Sequence, residues 1–448
     1  MNKKEKRKIK EKDRGIVDIA VIANHFFKDL LKWINEMNDP RQREYIKYEQ
    51  SDFIILGILK NICGVETMRQ MDEKFNKENC IKTLKMISGD KELSEMPHYD
   101  TINYYLEKLS PECLRGLRKK MIYSLIRRKS FYKHRLLDKY WRIILDGTGQ
   151  FYFKERHCEN CLCVKRKVSD GSTRIFYYQK VLEAKIVMSN KVVLSLDTEF
   201  IEGEQENISK QDCEQNAGKR ILSRIKKEYP RLPICIQGDA LYATEPIMKI
   251  CRENKWVYIF THKGTRQRLL QENYELLEEG KDKYIIANVC QEKGEGKFAN
   301  NVGKLAGKTE QMNILEYSFE TKEKNGLKRK RMEWVTNIEI TRRNLEKLIT
   351  AGRGRWKIEN EGFNNQKNGI YKISHINSRN SRAMKNHYLL TQISDIIMQL
   401  YLSWNKYIKE IKQSIKNTSS RLLESFRRDP ITDEDVKQIT KYITIHLE

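Results

Sequence analysis

Apolar residues recur at three- and four-residue spacing through DFIILGILKNI, CGVETMRQMDEKF, DTINYYLEKL and ECLRGLRKKMIYSLIRRKSFYK, which predicts helices over residues 1–138 with Asp100 and Ser110 as caps. At Tyr140 the period changes. YWRIIL is a short apolar run halted by Asp146, Gly147, Thr148 and Gly149, the pattern of a buried strand ending at a loop. KVLEAKIVM and VVLSLDTEFI flank Ser189-Asn190-Lys191 as a hairpin. KQDCEQNAGKRILSRIKKEY then reads as a helix, ICIQG as a strand ending at Asp239, TEPIMKICREN as a helix with Thr244 at its cap and Pro246 in its first turn, and WVYIFTHK as a strand.

Three strands, helix, strand, helix, strand imply a mixed sheet with crossover helices on its faces. Helical patterning then fades, and YIIANVC, NILEYSFE and RMEWVTNIEI read as strands around the glycine-rich GEGKFANNVGKLAGK. The expected organisation is a helical N-terminal region (1–138), the first part of an α/β core (139–263), a β-rich insertion (264–343), the second part of the core (344–402) and a charged helical tail (403–448). HYLLTQISDIIMQLYLSW from His387 is the most apolar long segment, yet it contains Gln392 and Asp395 and spaces Leu389, Ile393, Ile396, Ile397 and Leu400 as one helix face. It reads as a core helix and not a membrane span.

Charge narrows the class of partner. Among 448 residues, 86 Lys and Arg stand against 61 Asp and Glu, a formal excess of +25 spread along the whole chain, which favours a polyanion. Arg115, Arg118, Lys119, Lys120, Arg127, Arg128 and Lys129 are placed either along a phosphate backbone or on a solvated face. Ten cysteines without a secretory signal suit a reducing cytoplasm.

Against this basic background three acids stand out. Asp146 and Asp239 are each placed at the C-terminal end of a strand, where side chains of an α/β sheet emerge into one cleft. The third comes from RGRWKIENEGFNNQKN. Projected at about 100° per residue from Trp356, the residues Phe363, Ile370 and Lys367 share a stripe with Glu359, near −60°, while Glu361 falls near 140° on the opposite face. A carboxylate in an apolar stripe needs a cation, and either an Arg355 pair at the core margin or a metal ion supplies one. Three carboxylates converging on one cleft repel one another unless divalent ions neutralise them. Hard oxygen ligands suit Mg²⁺ or Mn²⁺, and two such ions suit in-line phosphodiester displacement.

These residues carry a family resemblance. ILDGT, GDALYA and Arg355-Trp356-Lys357-Ile358-Glu359, preceded by EWVTNIEIT, resemble in order the motifs of bacterial insertion-sequence DDE transposases with an R-W-x-I-E signature. NDPRQREYIKY and PHYDTINYYLEKLSPE are similar to the segment preceding the core in related elements. The resemblance covers the chain to about residue 402. It implies an RNase H-like mixed sheet with flanking helices, a β-rich insertion and an all-helical N-terminal domain. It further implies Asp146, Asp239 and Glu359 as catalytic ligands of two Mg²⁺ or Mn²⁺ ions, Arg355 on a phosphate, Arg353 and Lys367 as DNA contacts, and Trp334 as a stacking platform for a flipped base. A buried core position is the plainer reading of Trp334. Two positions depart from the family pattern: Gly352 stands where relatives have tyrosine, and Gln366 where they have lysine, with Lys367 one place later.

The expected activity is cut-and-paste DNA transposition at terminal inverted repeats by a cytoplasmic, nucleoid-associated homodimer acting on double-stranded DNA, with no membrane partner. A nuclease that only hydrolyses and a DNA-binding derivative without catalysis are the alternatives. Separately, His157, Cys158, Cys161 and Cys163 form a candidate zinc cluster that Cys213 could complete, against free thiols in a reduced loop. Asp212 and Glu214 are assigned to the first turn of their helix, and KRKR at 328–331 to phosphate contact or a solvated turn.

Overall fold

Helical periodicity in the N-terminal third becomes a run of short helices in the computed structural model, which describes residues 14–156, 158, 160–169, 171–203, 212–290, 293–305, 312–323, 326–355 and 363–440. They are α1 (Ile16–Phe26), α2 (Leu30–Asn35), α3 (Gln50–Ile62), α4 (Met68–Phe75), α5 (Glu78–Ser88), α6 (Tyr99–Lys108) and α7 (Pro111–Ile126). Helix α6 starts one residue before the expected cap. His98 Nδ1 accepts the Asp100 N–H at 3.3 Å, so Asp100 sits in the first turn, where its charge suits the helix dipole.

The strands begin with β1 (Trp141–Phe153), β2 (Leu162–Lys167), β3 (Thr173–Val187) and β4 (Val193–Ile201). Helix α8 (Glu214–Glu228), β5 (Ile234–Gly238), α9 (Glu245–Glu253) and β6 (Val257–Thr261) complete the core. Strand β1 runs parallel to β5 and β5 parallel to β6, whereas β3 is antiparallel to both β1 and β4. The core order is therefore β4-β3-β1-β5-β6, a mixed α/β sheet of RNase H-like topology. One expectation needs correcting: β1 does not stop at Asp146 but runs on to Phe153, still paired to β3.

After α10 (Arg268–Glu275) come β7 (Tyr284–Val289), β8 (Gly294–Ala299), α11 (Val302–Leu305), β9 (Asn313–Glu323) and β10 (Gly326–Thr336). The insertion is β-rich as expected, and it extends the core sheet because Trp334 to Thr336 of β10 pair with Ile259 to Thr261 of β6. Part of the glycine-rich segment expected to separate strands is itself β8. A Cβ at Gly294 would lie 2.6 Å from Tyr317, so the strand passes where only glycine fits.

The chain ends with α12 (Leu345–Arg353), α13 (Asn365–Asn368), α14 (Ser381–Trp404), α15 (Lys406–Ile411), α16 (Ile415–Arg428) and α17 (Asp433–Thr440). Residues 356–362 lie outside the described residues, and of the helix projected from Trp356 to Ile370 the described residues show α13, which ends at Asn368. The apolar face of α14 joins the N-terminal helices to the sheet: Leu389, Ile393 and Ile397 share one core with Ile58, Leu106, Leu117, Ile143 and Ile236. Helix α16 docks back on the N-terminal helices, with Phe426 edge-on to Phe75 at 4.8 Å. Among the described residues no helix is long and apolar enough to cross a membrane.

Candidate active site

Strand alternation decides where the acids point. In β1, Ile143 and Leu145 enter the main core, which sends Arg142, Ile144 and Asp146 to the other face. In β5, Ile234 and Ile236 enter that core, and Cys235, Gln237 and Asp239 take the opposite side. Ile144 is the registered partner of Gln237 on the parallel neighbour strand. Asp146 and Asp239 each lie two residues further on, level with one another on adjacent strands, a spacing of about 4.8 Å between backbones.

Both line a cavity of about 940 Å³ between the sheet and the last turn of α12, together with Trp334, Arg355 and Lys367. Burial pushes the Asp146 carboxyl up to about 6; the negative charges of Asp239 and Glu214 push the same way, against Arg355 and the Gly147 N–H. Asp146 Oδ1 accepts that N–H at 3.0 Å, and Oδ2 lies 4.0 Å from Arg355 Nη1. Asp239 Oδ1 accepts the Leu241 N–H at 2.8 Å. Burial also lowers the Lys367 ammonium, opposed by the charge of Asp146.

Glu359 and its rival Glu361 lie outside the described residues, as does His157. Of the four expected DNA contacts, Arg355, Lys367 and Trp334 line the acid cavity. Arg353 does not: its guanidinium lies over Phe319 at 4.9 Å and Tyr317 at 5.6 Å and faces a separate cleft. Trp334 is only 4% exposed, and its indole rests on α12, where a Cβ at residue 352 would come within 2.5 Å of Cε2. That contact leaves no space for a side chain at residue 352.

Glu214 stands in the first turn of its helix as expected. Glu214, at the first position of α8, does more than cap a helix: its carboxyl covers Gly147, accepts the Tyr242 hydroxyl at 3.0 Å and pairs with Lys180. The glycine at 147 was the available signal, since a strand glycine marks a close approach. Cys158 and Cys161 bring their sulfurs to 3.1 Å, but among the described residues no three His, Cys, Asp or Glu groups are set to hold a metal, and Cys213 stands exposed ahead of α8. The 328–331 cations do not form a turn but are exposed along a strand. They lie on β10, where Arg329 pairs with Glu295 at 3.3 Å and Arg331 with Glu316 at 3.1 Å.

A sheet of this order, with level carboxylates on its two central parallel strands, defines an RNase H-like core. Residues 187–394 match the family model described as "Transposase DDE domain". The matched span includes Asp239, Trp334, Arg355 and Lys367 and begins after Asp146. No curated protein matches the chain. Among solved structures the chain is similar to the piggyBac transposase in a synaptic complex with hairpin DNA, at 11% identity and a TM-score of 0.43, with 94% of this chain and 84% of that chain covered.

Proposed function

We propose that the chain is a cut-and-paste DNA transposase that cleaves at the terminal inverted repeats of an insertion sequence and joins the freed 3′-hydroxyl to target DNA, using Mg²⁺ or Mn²⁺ held by Asp146, Asp239 and Glu359. The observation that carries this reading is the level pair Asp146 and Asp239, two hard-oxygen ligands held in mutual repulsion inside a cavity edged with cations. Such a donor set fits divalent cations. A bound ion pair supplies an activated water or 3′-hydroxyl and neutralises the leaving oxygen.

The chain's own groups supply the rest. The Gly147 N–H fixes one oxygen of Asp146 and leaves the other turned toward the cavity. Arg355 and Lys367 offer positive charge to a phosphate at the scissile bond. Both element ends are held together through the reaction, so the acting species is a homodimer on DNA.

The test is cleavage and joining of a labelled element end in Mg²⁺, wild type beside Asp146→Asn, Asp239→Asn, Glu359→Gln and Glu361→Gln. The first three lose cutting by at least about 10²-fold, and Glu361→Gln retains it. Loss of cutting in Glu361→Gln alone would overturn the acid assignment. Hydrolysis without joining marks a nuclease, and a stable uncut complex marks a DNA-binding derivative.

A further inference from the structure

The last turn of α12 divides two clefts on the same face of the sheet. Gly352 and Arg355 look into the acid cavity, while Arg353 and Gly354 line a second cleft of about 1110 Å³. At the floor of this second cleft lies Arg142. It is only 9% exposed, and its guanidinium has no hydrogen bond or ion pair among the described residues. Its pairing partner across β5 is the buried Cys235 thiol, and a Cβ at Gly354 would sit 3.1 Å from Nη1. Burial holds its pKa below the ordinary value. A largely buried guanidinium that opens on a cleft and pairs with no anion among the described residues favours an anion arriving with a ligand.

The walls of the cleft match that floor. Lys133 and Arg135 come from the turn before β1, and Lys347 and Arg353 from α12. The two acids on the rim are already engaged: Asp138 pairs with Lys347 at 3.3 Å, and Glu346 accepts the Cys290 N–H at 2.5 Å. We propose that Arg142 is the floor of a phosphate-binding site that holds a nucleic-acid strand on the far side of the α12 turn from the acid cavity.

Two features favour a strand over a small free anion. Cations from three separate elements line a cleft larger than a single phosphate fills. Arg142 and Asp146 also share one face of β1 four residues apart, about 13 Å along the strand, so one backbone can pass Asp146 and reach Arg142 across a turn thinned by two glycines. The strand as the source of the phosphate rests on the transposase reading; the anion chemistry does not.

The test is DNA binding by the full chain, measured by anisotropy in metal-free buffer over a range of salt, for wild type, Arg142→Gln, Arg142→Lys and Lys133→Gln with Lys347→Gln. Arg142→Gln weakens binding about tenfold and lowers the salt slope by about one, and Arg142→Lys recovers part of the loss. The surface double variant, which leaves the core untouched, also loses slope. Unchanged affinity and slope in both Arg142→Gln and the surface variant overturn the proposal. If inorganic phosphate raises the melting temperature of wild type but not of Arg142→Gln while DNA affinity is the same in both, the site takes free anions and the nucleic-acid assignment falls. Arg142-dependent DNA binding by a wild type that neither cuts nor joins leaves this site standing and removes the transposase reading instead.

Discussion

Two groups of carboxylates on the sheet, one buried and one half-buried, have surroundings that differ in kind. Where β3 and β4 meet the N-terminal helices, Asp197 is held by Arg118 at 3.0 Å and Arg224 at 2.6 Å, and Glu183 accepts the Ser195 hydroxyl at 2.6 Å and the Thr198 hydroxyl. Both of these carboxylates have partners from the protein itself. In the acid cavity Asp146 has one backbone N–H and an arginine at 4.0 Å, and its nearest charged neighbours include two more carboxylates. The first group is satisfied by protein donors and serves the fold; the second has fewer such donors among the described residues, which agrees with the proposed cation site.

The largest effect comes from breaking the satisfied group. Arg118 is 1% exposed, and Arg118→Ala removes the donor shared by Asp197, Ser195 and Thr198, leaving Arg224 as the cation on Asp197. Loss of one partner of a buried pair costs about 3–5 kcal/mol, read from urea unfolding.

Treating the cavity in the same way gives the opposite sign. An unfolded aspartate releases its proton near 3.8, whereas folded Asp146 keeps it to about 6, so the native state binds more protons in that window and stability falls as pH rises through it. Asp146→Asn removes this slope and stabilises the metal-free protein at pH 7.5 by up to about 3 kcal/mol. Mg²⁺ then raises the melting temperature of wild type and not that of the variant. A destabilising Asp146→Asn would show that the carboxylate is structural, like its counterpart at Asp197.

Gly352→Ala follows. Its Cβ would meet the Trp334 indole at 2.5 Å, and moving a buried ring costs about 1–2 kcal/mol. Tryptophan fluorescence reports the displacement, and an unchanged spectrum and melting temperature would remove the explanation given for this glycine.

The difference between the two acid groups was half legible in the sequence. Apolar runs ending at Asp146 and Asp239 marked β1 and β5, because a strand buried on both faces reads as a continuous apolar stretch. The projection that singled out Glu359 also applies to α7, where Leu114, Arg118, Met121 and Leu125 lie on one stripe. Arg118 was instead read with its neighbouring cations as a surface run, and its partners Asp197 and Thr198 lie on a strand about eighty residues away, beyond any local pattern. Glycines misled twice for one reason: Gly147 and Gly294 read as turns, yet both sit in strands beneath a side chain that leaves no space for a Cβ. Packing of that kind depends on residues far along the chain, so spacing alone does not reveal it.

The smallest prediction tests whether Glu214 belongs to the cavity's charge balance. Its carboxylate raises the pKa of Asp146, though less than burial or Asp239 does. Glu214→Gln therefore shifts the Asp146 midpoint down, followed by carboxyl NMR in metal-free buffer, and Asp239→Asn shifts it further. Removing Lys180, which pairs with Glu214, leaves that negative charge uncompensated and moves the midpoint the other way. Because each substitution changes one charge around one carboxyl, the order of the three midpoints is the discriminating result. If Glu214→Gln left the midpoint of Asp146 in place, Glu214 would return to the role its position at the start of α8 first suggested, an acid serving the helix N-terminus alone.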